Sequence, residues 1–224
     1  MKNILLSLLF FGFAFSGNTQ NNTTFQDQDP KAKIILDKLE AKHKKIDNLV
    51  IDFSAKIYGG KIKTQSLSGK AYKSKKKYAY ITKDYIVKSN GKSNWSYAKK
   101  DNEVTISSEE DAEEESALMN PTKLLTIWQK GFKYKYVGEK TIGGKKTQIV
   151  KLFPKNIKKS KFHTIELNIN KSKNELTKIM IKGRDGVNMD FTIKKFKSGQ
   201  TIPAKTYTFD KSKYPNCTEN DMRF

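Results

Sequence analysis

The chain has 224 residues, with 44 Lys or Arg against 23 Asp or Glu and a net charge of +21. Such a balance points to anionic partners (nucleic acid, anionic lipid headgroups, acidic protein surfaces) or to a heavily solvated lysine surface. Only Arg184 and Arg223 are arginine, and because phosphate and base readout uses the bidentate guanidinium, lysine dominance argues against specific nucleic-acid recognition.

At the N-terminus Lys2 precedes an apolar run from Ile4 to Phe15, followed by Ser16, Gly17, Asn18 and Thr19. A run this short does not span a bilayer, which needs about 20 residues. Residues 1–19 therefore read as a cleaved signal peptide, and the protein as exported and soluble. Export also disfavours nucleic acid. Residues 20–28 are rich in Asn, Thr and Gln and read as disordered. Residues 29–224 form one β-rich domain.

Asp29-Pro30 is a helix start, with Asp as N-cap and Pro in the first turn. The helix is expected to run to about Ile46, with Ile35, Leu39, His43 and Ile46 near one stripe. Leu49, Ile51, Phe53, Ala55 and Ile57 then alternate with Val50, Asp52, Ser54, Lys56 and Tyr58, a strand signature. Gly59-Gly60 turns the chain. Leu67, Gly69 and Ala71 open a strand whose small residues allow tight coiling or a close approach.

From Ser66 to Ile106 aromatic and aliphatic residues recur at every second position: Tyr78 and Tyr80, Tyr85 and Val87, Trp95 and Tyr97, Val104 and Ile106. Asn90-Gly91 and Asp101-Asn102 mark turns. The alternation predicts a curved antiparallel sheet with one apolar face, covered either by an ordinary core or by a bound lipid.

Glu109, Glu110, Asp111, Glu113, Glu114 and Glu115 follow, an acidic tract in a basic chain. It reads as a solvated loop or as a segment that docks on a lysine-rich face. Nothing apolar surrounds these carboxylates to raise a pKa for acid–base work. Asn120-Pro121 is a second cap. It opens a short apolar helix with Leu124, Leu125, Ile127 and Trp128, ended by Gly131, which is either ordinary core or a second lid.

Beyond it the strands return. Phe132, Tyr134 and Tyr136 alternate with lysines, and Gly143-Gly144 turns. His163, Ile165, Leu167 and Ile169 alternate, Leu176 to Ile181 comes next, and Asp185-Gly186 leads into Val187, Met189, Phe191 and Ile193. A loop over Pro203 to Thr208 precedes a last edge segment from Pro215 to Arg223. Ten or eleven strands and two helices result, one sheet long enough to curl into a barrel or half-barrel.

Neither histidine, His43 or His163, has a metal-ligand partner at a recognised spacing, and no GxSxG is present. A loose P-loop likeness at Gly138 to Thr147 fails at the Lys-Ser/Thr position. The single cysteine, Cys217, permits no intramolecular disulfide and reads as a buried or idle thiol. No nucleophile, base or metal site emerges, so the chain is read as a non-enzyme without cofactor or metal.

The order of parts resembles the outer-membrane lipoprotein carrier family, LolA-type, particularly its lysine-rich Bacteroidota-like versions. The parts are a signal peptide, a helix, a meander with SNGKSNWSY, an apolar Pro-capped helix, FKYKYVGE, the DG hairpin, TFDKSKYP and a closing DMR. The resemblance implies an incomplete, strongly curved β-barrel of about 10–11 strands lidded by helices over an apolar cavity. It implies a monomeric periplasmic carrier that takes lipoproteins by their acyl chains from an inner-membrane ABC exporter to an outer-membrane acceptor or to the outer membrane itself. On this reading Ile35, Leu39, Ile51, Phe53, Tyr78, Tyr80, Trp95, Tyr97, Leu124, Leu125, Trp128 and Tyr134 form the cavity and lid. Asn90, Gly91, Lys92, Trp95 and Tyr97 match a family motif. Lys75, in the run Lys73 to Lys77, matches a basic transfer-controlling residue that is often arginine in the family. A competing reading is a non-carrier periplasmic β-domain that binds anionic lipid or polysaccharide through its lysines.

Overall fold

The computed structural model describes residues 28–108, 120–129 and 131–223. The expected signal peptide, nearly all of the polar stretch after it, and the acidic tract with Leu118 and Met119 lie outside the described residues.

The fold is mainly β: one large curved sheet of twelve strands, not closed. The first meander is β1 (Asn48–Gly59), β2 (Gln65–Ser74), β3 (Lys77–Thr82), β4 (Tyr85–Ser89), β5 (Ser93–Ala98) and β6 (Glu103–Ser108). The second is β7 (Phe132–Ile142), β8 (Lys145–Pro154), β9 (Phe162–Asn170), β10 (Glu175–Gly183) and β11 (Val187–Ser198). Pairing of β11 with β1 joins them, and β12 (Thr218–Asp221) adds to β6, giving the order β12-β6-β5-β4-β3-β2-β1-β11-β10-β9-β8-β7. Every pairing is antiparallel except β12 with β6, a departure from the uniformly antiparallel sheet expected.

Two helical pieces lie on the concave side. α1 (Pro30–Lys44) is capped by Asp29, whose carboxylate accepts from the Lys31 and Ala32 N–H groups. α2 (Pro121–Leu124) is a single turn capped by Asn120 and continued by a 3-10 turn, η1 (Ile127–Gln129). The expected short helix ended by Gly131 is therefore broken into two turns. Topology explains its place. The chain leaves β6 near one edge of the sheet and re-enters at β7, the other edge, and the described part of that connection lies against β2.

The concave face is apolar from β7 across to β3. Directly paired antiparallel residues share a face, and the pairs read Tyr134↔Leu152, Leu152↔Ile165, Ile165↔Ile181, Ile181↔Met189, Met189↔Ile57. A parallel row runs Val150↔Leu167, Leu167↔Ile179, Ile179↔Phe191, Phe191↔Ala55. Phe53 and Phe191 stack at 5.3 Å in its middle.

Phe53 pairs with Gly69, and Gly69 pairs with Thr82 on β3. A Cβ built on Gly69 would stand 2.2 Å from the Ile81 carbonyl oxygen and 3.2 Å from Phe53 Cζ. The absent side chain lets the sheet coil sharply here and lets the Phe53 ring lie over bare backbone. Gly69→Val is expected to lower stability by about 3 kcal/mol through overpacking; urea-unfolding midpoints check this against Ser68→Val on the opposite face, which should cost far less.

Candidate functional site

The candidate site is the concave wall with its two covers. Ala32, Ile35, Leu36 and Leu39 of α1 and Leu124, Leu125 and Trp128 of the second cover are 0–7% exposed. They belong to one cluster with Leu49, Ile51, Phe53, Leu152, Ile165 and Phe191, against which Tyr80 and Tyr134 also pack. Of the predicted cavity and lid residues, the structure thus brings together Ile35, Leu39, Ile51, Phe53, Tyr80, Leu124, Leu125, Trp128 and Tyr134. Burial pushes the Tyr80 hydroxyl up to about 12. Tyr78 shares the concave face by register, opposite Lys73 and Ser89, and its hydroxyl donates to Asn94 Oδ1 at 3.1 Å.

Trp95 and Tyr97 are a correction. Ser89 pairs with Asn94, so Lys88 faces Trp95 and Ile86 faces Tyr97; Trp95 and Tyr97 in turn face Ile106 and Val104. The pairing sums are odd between β4 and β5, so odd positions of one strand share a face with even positions of the next. Odd Trp95 and Tyr97 therefore lie with even Ile86 and Lys88 on the convex side, and Asn94 and Ser96 take the concave side. The C-terminal segment covers these outer aromatics. Tyr97 and Tyr214 rings lie 4.4 Å apart, Phe209 stacks on Tyr214 at 4.8 Å, and Cys217 is buried beside Val104. Tyr97 hydroxyl donates to Asn102 Oδ1 at 2.9 Å, Asn102 Nδ2 donates to the Pro215 carbonyl at 3.0 Å, and Lys88 Nζ donates to the Thr208 carbonyl at 2.8 Å. The one signal in the sequence was that the aromatics Phe209 and Tyr214 had no partner assigned.

Among the described residues each cover shows few polar contacts to the wall. At the start of α1, Asp29 Oδ2 accepts from the Tyr136 N–H at 3.0 Å, and Asp29 N donates to the Tyr134 carbonyl at 3.2 Å. Burial works against the Asp29 charge, but these backbone donors hold its pKa below the usual value. At the other end Lys42 Nζ reaches Glu175 Oε1 at 2.7 Å and the Lys173 carbonyl at 2.8 Å.

The two covers meet at His43. Its ring stands edge-on to Trp128 at 5.4 Å and to Phe196 of β11 at 6.0 Å. His43 Nε2 and Trp128 Nε1 are both buried without a hydrogen-bond partner. Sequence periodicity placed His43 on the buried stripe but did not reveal this junction. Beneath it a cleft of about 220 Å³ is lined by His43, Lys44, Ile46, Leu49, Lys73, Thr126 and Gln129. Lys75 sits at the exposed tip of the β2–β3 turn with φ 52°, its N–H donating to the Asp47 carbonyl at 3.3 Å.

Among the described residues no group of three His, Cys, Asp or Glu side chains comes together as a metal site. Among them also, no helix is long and apolar enough to cross a membrane.

A family model described as "Outer membrane lipoprotein carrier protein LolA" matches residues 22–187. No curated protein matches the chain. An uncharacterized conserved protein from Thermus thermophilus superposes with a TM-score of 0.56 at 13% identity, over 85% of this chain and 99% of that one. Lipoprotein LppX of Mycobacterium tuberculosis gives 0.49 at 13% identity, over 79% and 100%. A LolA superfamily protein from Nitrosomonas europaea gives 0.39 at 10% identity, over 80% and 98%. The first likeness shows the fold; the other two superpose too loosely to add to it.

Burial holds the His43 pKa down at about 4, reinforced by the Lys73 and Lys42 charges and opposed by Glu175. An unfolded chain binds its proton near 6.5, so the unfolded state takes up more protons between these values and stability falls as pH drops from 6.5 towards 4. The difference is expected to reach about 3 kcal/mol. Denaturant midpoints at pH 7 and pH 4.5 for the wild type and His43→Leu check this: the variant should lose markedly less on acidification.

Proposed function

Given that this chain belongs to the outer membrane lipoprotein carrier protein LolA family, we propose that it is a periplasmic carrier that hides lipoprotein acyl chains on its concave wall. It takes them from an inner-membrane ABC exporter and delivers them to the outer membrane or to an acceptor there. The observation that carries this reading is the apolar wall, continuous over eight strands and covered by two short pieces of chain with few polar fastenings among the described residues.

The magnitudes fit a displaceable cover. An acyl chain of about 14 methylenes gains roughly 11 kcal/mol on leaving water, at ~0.8 kcal/mol per CH₂. Lifting Leu124, Leu125 and Trp128 off the wall costs roughly 7 kcal/mol, at ~1.5–3 kcal/mol per large side chain. Lifting Ile35, Leu36 and Leu39 costs about as much again. One acyl chain therefore outweighs one cover, and displacing both takes a guest with at least two chains. Because the covers return to the same wall, release is not prohibitively uphill. The same arithmetic explains why the empty protein hides this surface instead of exposing it.

In the alternative, a lysine-surface domain that binds anionic lipid or polysaccharide without a cavity, affinity would fall steeply with salt. Acyl capture responds little to salt.

A test uses a cysteine peptide carrying two fatty acyl chains, titrated against an apolar fluorophore bound to the purified protein. Stoichiometric displacement that is nearly equal at about 50 mM and about 500 mM salt is expected, and Trp128→Ala should tighten fluorophore uptake several-fold. No fluorophore uptake, together with no acylated species in an organic extract of the protein, would remove the carrier reading.

A further inference from the structure

We propose that the mouth between the covers is a binding site for the phosphate of an acyl lipid headgroup, so that this wall takes anionic phospholipid-like amphiphiles in preference to zwitterionic ones. The proposal rests on the carrier reading and adds a charged end to the guest.

Two clefts meet here. The one beneath His43 reaches inward to Leu49, which is 4% exposed and part of the main apolar cluster. A second, of about 110 Å³, lies outward of it, and its lining includes Lys73, Lys75, Lys76, Lys77, Lys123 and Thr126. Lys73 and Thr126 line both, so the two clefts adjoin beside the second cover. Among the described residues no carboxylate lines either cleft. Asp47, next to the turn, accepts from the Lys75 N–H through its backbone carbonyl. The adjoining pair is cationic on the side of Lys75, Lys76 and Lys77 and apolar on the side of Ile46 and Leu49. An amphiphile has that same order of parts.

Lys73 is the informative member. Its place in the β1–β2–β3 register, opposite Leu49 and Tyr78, puts it on the concave face among apolar neighbours. It is half-buried, and its ammonium makes no hydrogen bond or ion pair with a described residue. Burial lowers its pKa, which marks an ammonium that has lost water without gaining a counter-ion. Placing a cation there costs stability in the empty protein. A phosphate oxygen arriving with the guest offsets that cost, and the surrounding Lys75, Lys76 and Lys77 add attraction without directional demands, since ammonium groups act as point charges. A headgroup would rest beside Lys73 when the tail lies on the wall.

The source of the phosphate is what the experiment must separate. The probes are monomeric decanoyl-lysophosphatidylglycerol, decanoyl-lysophosphatidylcholine with the same tail, and inorganic phosphate. They are compared on the wild type, on Lys73→Gln/Lys75→Gln/Lys77→Gln, and on a charge-matched control, Lys140→Gln/Lys145→Gln/Lys146→Gln, at the distant β7–β8 hairpin. The wild type is expected to bind the anionic amphiphile about tenfold tighter than the zwitterionic one, and inorganic phosphate much more weakly than either. The first variant should lose that preference while keeping its affinity for the zwitterionic amphiphile, and the control should keep the preference. If the first variant fails to fold, Lys75→Glu, at an exposed turn, should show the same loss. Equal affinity for the two amphiphiles in the wild type overturns the headgroup site and leaves the carrier reading standing. Equal loss in both triple variants also overturns it, as a general charge effect. Binding of neither amphiphile overturns the headgroup site, while the carrier reading stands or falls with the diacylated peptide, and phosphate bound as tightly as the anionic amphiphile overturns the headgroup site in favour of an ion site unconnected with the wall.

Discussion

The constraint on which this structure depends is a sheet face too apolar to be left in water. Eight adjacent strands, β7 through β11 and then β1 to β3, place Val, Leu, Ile, Phe and Tyr side chains on one concave surface. An ordinary β-domain would close such a surface with a second sheet. Here α1 and the α2–η1 turns do it, each contributing only three or four apolar side chains. A wall held dry by so few residues is stable enough to fold and can exchange its cover for another apolar body. The rest of the molecule is arranged around that exchange: capped helix starts at Asp29 and Asn120, a histidine at the seam, and lysines at the mouth.

The convex face makes an instructive contrast. There the apolar cluster is smaller, and the C-terminal segment covers it. Tyr97, Trp95 and Val104 lie under Phe209, Tyr214 and Cys217, and the covering segment is tied down by strand pairing along β6. Met222 N–H donates to the Ile106 carbonyl at 2.8 Å, and the Arg223 guanidinium donates to Ser93 Oγ at 3.2 Å and to the Asp221 carboxylate. Aromatic stacking with a backbone ladder fixes this cover, whereas the concave covers make no strand ladder with the wall, among the described residues, beyond the single bridge of Gln28 to Tyr134. One sheet thus carries two apolar faces with different kinds of closure.

Much of this was legible in the sequence. Asp29-Pro30 and Asn120-Pro121 marked both helix starts, because a carboxylate or amide cap followed by proline satisfies a helix N-terminus locally. The alternation from Leu49 to Ile57 and from Val187 to Ile193 marked two central strands. What alternation could not supply was the face each strand turns inward. Tyr80 and Trp95 look alike in a period-2 pattern, and only the pairing of Ser89 with Asn94 puts them on opposite sides. Irregular segments hid their role for a related reason: Phe209 and Tyr214 fall in a stretch with no periodicity, so nothing local says what they cover. His43 was legible as a buried-stripe residue, but its contact with Trp128 joins positions too far apart in the chain for any local pattern to show.

The most direct test of the central claim is amide hydrogen exchange with and without a saturating diacylated cysteine peptide. If the covers and the acyl chains compete for one wall, amides of α1 and of residues 120–129 exchange faster in the complex, while β9, β10 and β11 keep or gain protection. Unchanged or slower exchange in both covers, with the peptide bound, would show that the guest lies elsewhere and would contradict the account.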